Sequence, residues 1–157
     1  MTMTSNPPSV VDSDAFTVRR TITIAASPAK VWAAISEPEH LSKWFPQAAA
    51  FDTVAAGSAG TFTFEGHGTF PVEVEEFDAP NSIAYRWGGP DDDPSKPLDP
   101  DNSTVFCFTL EAIDGGTRLT VVESGFNFGD DPAKNMEDHR GGWDWELDEL
   151  VAYLEGA

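Results

Sequence analysis

The chain has a single cysteine, Cys107, so it can close no internal disulfide and can build no multi-cysteine metal site. The neighbours of Cys107 are Phe106 and Phe108, which suits a buried or half-buried structural thiol. Basic residues are also scarce: nine Lys and Arg stand against 27 Asp and Glu, a formal net charge of −18. Nucleic acid and anionic lipid are bound through Lys and Arg, so neither is expected as a partner. No apolar run approaches the ~18 residues that crossing a bilayer needs, and no membrane association is expected. The first 18 residues hold no Lys or Arg and no apolar stretch, so no secretory signal is read and the expected compartment is the cytoplasm. Three histidines, His40, His67 and His139, are far apart in the chain, none with a partner at metal-ligand spacing. A glycine-rich phosphate loop, a nucleophile elbow and a Cys/His pair are missing as well. Metal, cofactor and catalytic residues are accordingly expected to be none, and the balance leans away from an enzyme.

What remains suits one small globular domain: 157 residues, 40% of them apolar. Residues 1–14, rich in Ser, Thr, Pro and Asp without periodicity, read as a flexible tail before a single domain over 15–157. Phe16, Val18, Ile22 and Ile24 alternate with Thr17, Arg19, Thr21 and Thr23, as in a half-buried strand. Strict alternation puts Arg20 on the apolar side. Ser27-Pro28 opens a helix that Pro38 stops, and a second short helix fits Glu39 to Trp44. Alternating strands follow at 61–65, 69–77, 83–87, 104–112 and 117–123, the last two joined at Asp114-Gly115-Gly116. Residues 88–102 carry four prolines and five aspartates and read as a long loop, either a lid or a plain insertion. From Asp131 the period changes: Met136, His139, Trp143, Leu147, Leu150 and Leu154 recur at three- and four-residue steps. They predict one long amphipathic helix. Gly141-Gly142 inside it marks either a close backbone approach or a pliable point.

Strands joined by short turns build an antiparallel meander, so the chain predicts an α+β fold, a curved sheet of six to seven strands around a long C-terminal helix. One helix about 10 Å wide does not cover such a sheet. Large side chains or a cavity must fill the remainder. The predicted inner face is aromatic: Phe62, Phe64, Phe70, Tyr85, Trp87, Phe106, Phe108 and Trp143. These residues either fill the core or line a ligand cavity, and the polar atoms of Tyr85 and Trp87 favour the second use. Arg20 and Glu123 share inward parity on strands expected to be neighbours. Either they pair as polar handles of that cavity, or a bulge turns Arg20 out to solvent. His139 either faces the cavity mouth or is a satisfied boundary residue.

The run Ala26-Ser-Pro-Ala-Lys-Val-Trp32, then Ile35-Ser-Glu-Pro-Glu-His-Leu41 and Trp44, resembles the opening of the START-like (SRPBCC, helix-grip) superfamily. Phe108-Thr-Leu110, Gly115-Gly-Thr-Arg-Leu119, Glu123-Ser-Gly-Phe126, and Gly142-Trp143 with Leu147, Leu150 and Tyr153-Leu154 resemble the last hairpin and C-terminal helix of one branch. That branch is named for the activator of a heat-shock-protein ATPase, and the resemblance spans about residues 16–155. It implies the helix-grip fold. It also implies binding or transport of a hydrophobic or aromatic small molecule, lipid- or polyketide-like, between sheet and helix. Alternatives are a polyketide cyclase or hydrolase using cavity polar residues, and a chaperone ATPase regulator. The expected partner is a hydrophobic small molecule, and the expected state a monomer or homodimer.

Overall fold

A computed structural model describes residues 6–89 and 98–156. The described residues form one eight-stranded antiparallel sheet and three helices. In chain order these are β1 (Val10–Asp12), β2 (Thr17–Ile24), α1 (Pro28–Ser36), α2 (Pro38–Leu41), β3 (Ala48–Phe51), β4 (Ala59–Phe64), β5 (Gly68–Asp78), β6 (Ser82–Trp87), β7 (Thr104–Ile113), β8 (Gly116–Ser124) and α3 (Pro132–Glu155). The sheet runs β1-β2-β8-β7-β6-β5-β4-β3, and α3 packs against its β2 end. This is the expected α+β, helix-grip architecture with two more strands than the sequence pattern resolved as a minimum.

Local chemistry explains the elements. Ser27 caps α1 by accepting from the Lys30 amide at 3.3 Å, and Asp131 caps α3 by accepting from the Lys134 amide at 3.0 Å, each followed by proline at the first helical position. The β7–β8 hairpin turns on Asp114 and Gly115 between the paired Ile113 and Gly116, with Gly115 at φ +79°. No described helix is long and apolar enough to cross a membrane.

Several expectations change. Val10–Asp12 lies in the stretch read as a flexible tail, yet it pairs with β2 as an edge strand. The backbone there is tied down: Ser9 N–H donates to Asp144 Oδ1 at 2.6 Å, and the Pro7 carbonyl accepts from Arg20. Phe16 belongs to the β1–β2 turn at φ +54°, not to the strand. The second helix is shorter than expected, Pro38–Leu41, and continues only as turns, with the Ser42 hydroxyl donating to the Glu39 carbonyl. The acidic stretch 90–97, the middle of the segment weighed as a lid, lies outside the described residues.

The turn after α2 delivers Trp44 and Phe45 into the concave face. The Trp44 indole donates to the Ala34 carbonyl at 2.7 Å. Phe45 packs on Phe62, Phe106 and Trp143 with ring centroids 5.6, 5.8 and 5.5 Å apart. One phenyl thus packs into the space between sheet and helix that the sequence left to either large side chains or a cavity. Gly141 and Gly142 are not sites of close approach: a Cβ at either would meet nothing within 4 Å.

Candidate functional site

The inward parity of β8 ends on Glu123, whose side chain is fully buried. An ionised carboxylate at such a position needs its lone pairs filled. Four donors from three elements converge on it. His139 Nδ1–H and Trp143 Nε1–H, one turn apart on α3, both donate to Oε1 at 2.8 Å. Trp87 Nε1–H, at the end of β6, donates to Oε2 at 2.9 Å, and the Thr104 hydroxyl, at the start of β7, donates to the same oxygen. Trp87 and Thr104 face each other across the β6–β7 ladder, which places both donors at one end of the sheet.

Burial alone would drive the Glu123 carboxyl up. The positive charge of His139 and the hydrogen bonds from His139, Thr104 and Trp87 outweigh it, holding Glu123 below the ordinary carboxylate range. For His139, burial drives the imidazole down, while the charge and hydrogen bond of Glu123, with Asp138 nearby, outweigh that and hold it above its ordinary value. Because its pKa is raised on folding, His139 contributes stability that is fully present below about pH 6.5 and fades as pH rises through the higher folded value. The melting-temperature gap between the native protein and His139→Gln should therefore be widest near pH 6 and narrow toward pH 9. A gap independent of pH in thermal melts would contradict this.

His139 is the exposed end of the cluster, with its side chain 29% accessible. Its Nε2 makes no hydrogen bond to any described residue and borders an open cleft of about 390 Å³. Phe64, Phe70, Trp87 and Phe128 supply the apolar walls, while His67, Asn102, Ser103, Thr104 and Asn135 supply polar ones. A narrower arm of about 160 Å³ continues along α3 past Trp143, Gly142 and Glu146, sharing Phe64, Trp87 and His139 with the wide part. The arrangement offers an aromatic slot with one oriented imidazole N–H at its side.

The sequence-predicted set divides three ways. Phe64, Phe70, Trp87 and Trp143 line the cleft or its arm. Phe62, Tyr85, Phe106 and Phe108 are fully buried core; the Tyr85 hydroxyl donates to the Ile35 carbonyl at 2.6 Å, and burial holds its pKa far above the ordinary phenol value. Arg20 and Glu123 both point inward but do not pair, and no bulge turns Arg20 outward, since β2 keeps regular register with Arg20 opposite Val121. Both groups meet α3 at Trp143 on different atoms: Arg20 donates to its carbonyl at 3.3 Å, and Glu123 accepts from its indole. Arg20 also donates to the Asp144 and Pro7 carbonyls and to the Asp148 carboxylate. The partner of Glu123 is His139, a pairing the sequence did not single out. Phe45, Thr104 and Glu146 carry no signal of their own in the sequence. At the α1–α2 junction the side chains of Glu37, Glu39 and His40 bring ligand-type atoms within 4.8 Å of one another, but both glutamates are exposed and His40 Nδ1 is engaged by the Tyr153 hydroxyl at 2.8 Å.

The family described as Activator of Hsp90 ATPase homolog 1-like protein matches residues 25–155. No curated protein matches the chain significantly. Among solved structures, protein MLL2253 from Mesorhizobium loti is similar with a TM-score of 0.74 at 25% identity, covering 90% of this chain and 98% of that one. The Aha1 dimer from Colwellia psychrerythraea gives a TM-score of 0.69 at 22% identity over 88% of this chain and 96% of that one. CalU16 from Micromonospora echinospora gives 0.68 at 17% identity over 89% of this chain and 74% of that one.

Proposed function

The chain belongs to the Activator of Hsp90 ATPase homolog 1-like family, and on that premise we propose that it binds an aromatic or hydrophobic small molecule, lipid- or polyketide-like, at the open end of the helix grip. The observation that carries this is His139: a half-buried imidazole, held by a buried carboxylate, with Nε2 facing a cleft walled by Phe64, Phe70, Trp87 and Phe128. Apolar walls with one positioned polar group are the usual make-up of a small-molecule site. The ligand's flat body lies among the rings and an oxygen acceptor meets Nε2–H. The deeper aromatics act as support, since Phe45 fills the space beneath them.

The test uses 2-naphthylmethanol, a neutral bicyclic probe, titrated against intrinsic tryptophan fluorescence. Phe70 is half-buried on the cleft wall beside Phe64 and Trp87, so Phe70→Ala should weaken binding roughly three- to tenfold, the range of one aromatic contact. Unsaturable quenching, or equal affinity in the variant, would count against the cleft.

The same dyad supports a second reading, a cyclase- or hydrolase-type enzyme. A histidine oriented by a carboxylate through Nδ1 is equipped to move a proton at Nε2. Recovery of a bound polyketide-like molecule unchanged, by mass spectrometry, would leave binding alone.

A further inference from the structure

We infer that the narrow arm of the cleft, along α3 from Gly142 to Glu146, takes the ammonium group of an aromatic amine. This rests on the cleft reading and narrows its ligand to a flat apolar body bearing a basic nitrogen. The arm is walled by Phe45, Phe64, Trp87 and Trp143, and its acids are Glu146 and the exposed Asp138, which Lys134 already pairs at 3.0 Å. No Lys or Arg lies among its described lining residues. Aromatic rings with nearby carboxylates are the surroundings that favour an organic cation over an anion or a neutral group.

Glu146 is the group left over. It is half-buried, yet its carboxylate makes no hydrogen bond or ion pair with any described residue. Other shielded acids in the structure are partnered: Glu123 has four donors, and Asp144 meets Arg140 and Arg20. Removal from water without a partner is unfavourable for a carboxylate, and burial, then repulsion by Glu149, pushes Glu146 up to about 8. A bound ammonium would supply the missing partner and return the carboxyl to its ionised form. His139 borders the arm, but its positive charge is matched by Glu123 at 2.8 Å. Room for the ligand comes from Gly142, where a Cβ would point into open space, although glycine weakens a helix interior. The net charge of −18 raises the local concentration of cations around the whole molecule.

The experiment compares three probes of one shape by calorimetric titration: 2-naphthylmethylamine, 2-naphthylmethanol and 2-naphthoate. The native protein should bind the amine at least about tenfold more tightly than the alcohol, and the carboxylate most weakly. Glu146→Gln should shrink the amine's advantage to about threefold or less and leave the alcohol unchanged. Asp114→Asn, which removes one charge at the distant β7–β8 turn, should preserve the advantage. An amine bound no better than the alcohol overturns the ammonium site while the aromatic cleft stands. Equal losses in the two variants do the same, because they assign the preference to net charge. Failure of all three probes to bind removes the cleft and the arm together.

Discussion

Replacing Glu123 with alanine is expected to destabilise the protein by about 3–5 kcal/mol and to lower its melting temperature by roughly 10 °C. The loss does not come from the ion pair alone. Truncation strands the Trp87 and Trp143 indole N–H groups, the Thr104 hydroxyl and the His139 imidazole, all aimed at the position of a fully buried carboxylate. Each buried donor left unmet costs about 1–3 kcal/mol, and relaxation of the exposed His139 recovers part of that. Glu123→Gln should lose less, because one oxygen still accepts from α3, but its amide nitrogen opposes the Trp87 donor. The same carboxylate sets an acid limit. Its pKa is lowered on folding, so its stabilisation is present above about pH 4.3 and disappears as pH falls through the lower folded value. Urea unfolding at pH 6 and pH 3 measures both effects. A loss below about 1 kcal/mol at pH 6 would show that the four donors find other partners.

Periodicity made most of this fold legible. The alternation of β2, the Asp114-Gly115 hairpin and the three-and-four stripe of α3 are local patterns that the packed structure only has to obey. The missed strands lack such a pattern: Val10-Val11-Asp12 and Ala48-Ala-Ala-Phe51 have no two-residue contrast, and pairing with a neighbour creates them as strands. Phe45 was invisible for a related reason. It sits in an aperiodic turn, and only the path of the chain after α2 aims it at Trp143. The site was half legible. Parity put Glu123 and Arg20 inside, and both are. Residue type left two readings open, that the inward cation and anion meet or that a bulge turns Arg20 out to solvent; neither holds, and each group is satisfied by atoms that a pattern of side chains does not advertise. Arg20 takes backbone carbonyls, and Glu123 takes indole N–H groups from residues otherwise indistinguishable from core.

The second large effect is at Arg20. Arg20→Met keeps the apolar stem in the β2 row but deletes a guanidinium that is only 3% exposed. Its Nε–H donates to Pro7 O at 2.8 Å, and its terminal nitrogens to Asp144 O at 3.0 Å and to Asp148 Oδ1 at 2.8 Å. The expected cost is about 3 kcal/mol, at the low end for a broken buried charge pair. Asp148 is 66% exposed and rehydrates readily, and the Trp143 and Asp144 carbonyls sit within a helix that still bonds them. Pro7 lies in no helix or strand, and Arg20 is the side chain that ties its carbonyl to β2. With its carbonyl released, the segment leading into β1 should loosen, and amide exchange at Ser9 and Val11 should rise more than in β2. Arg20→Lys restores the charge but not the planar fork, so it should recover less than half of the loss. Because Arg20 holds the backbone of the residue whose indole binds Glu123, the Trp143 Nε1–H resonance should also shift in Arg20→Met. An unshifted indole signal with unchanged exchange at Ser9 would mean that α3 and the N-terminal segment are held in place without Arg20.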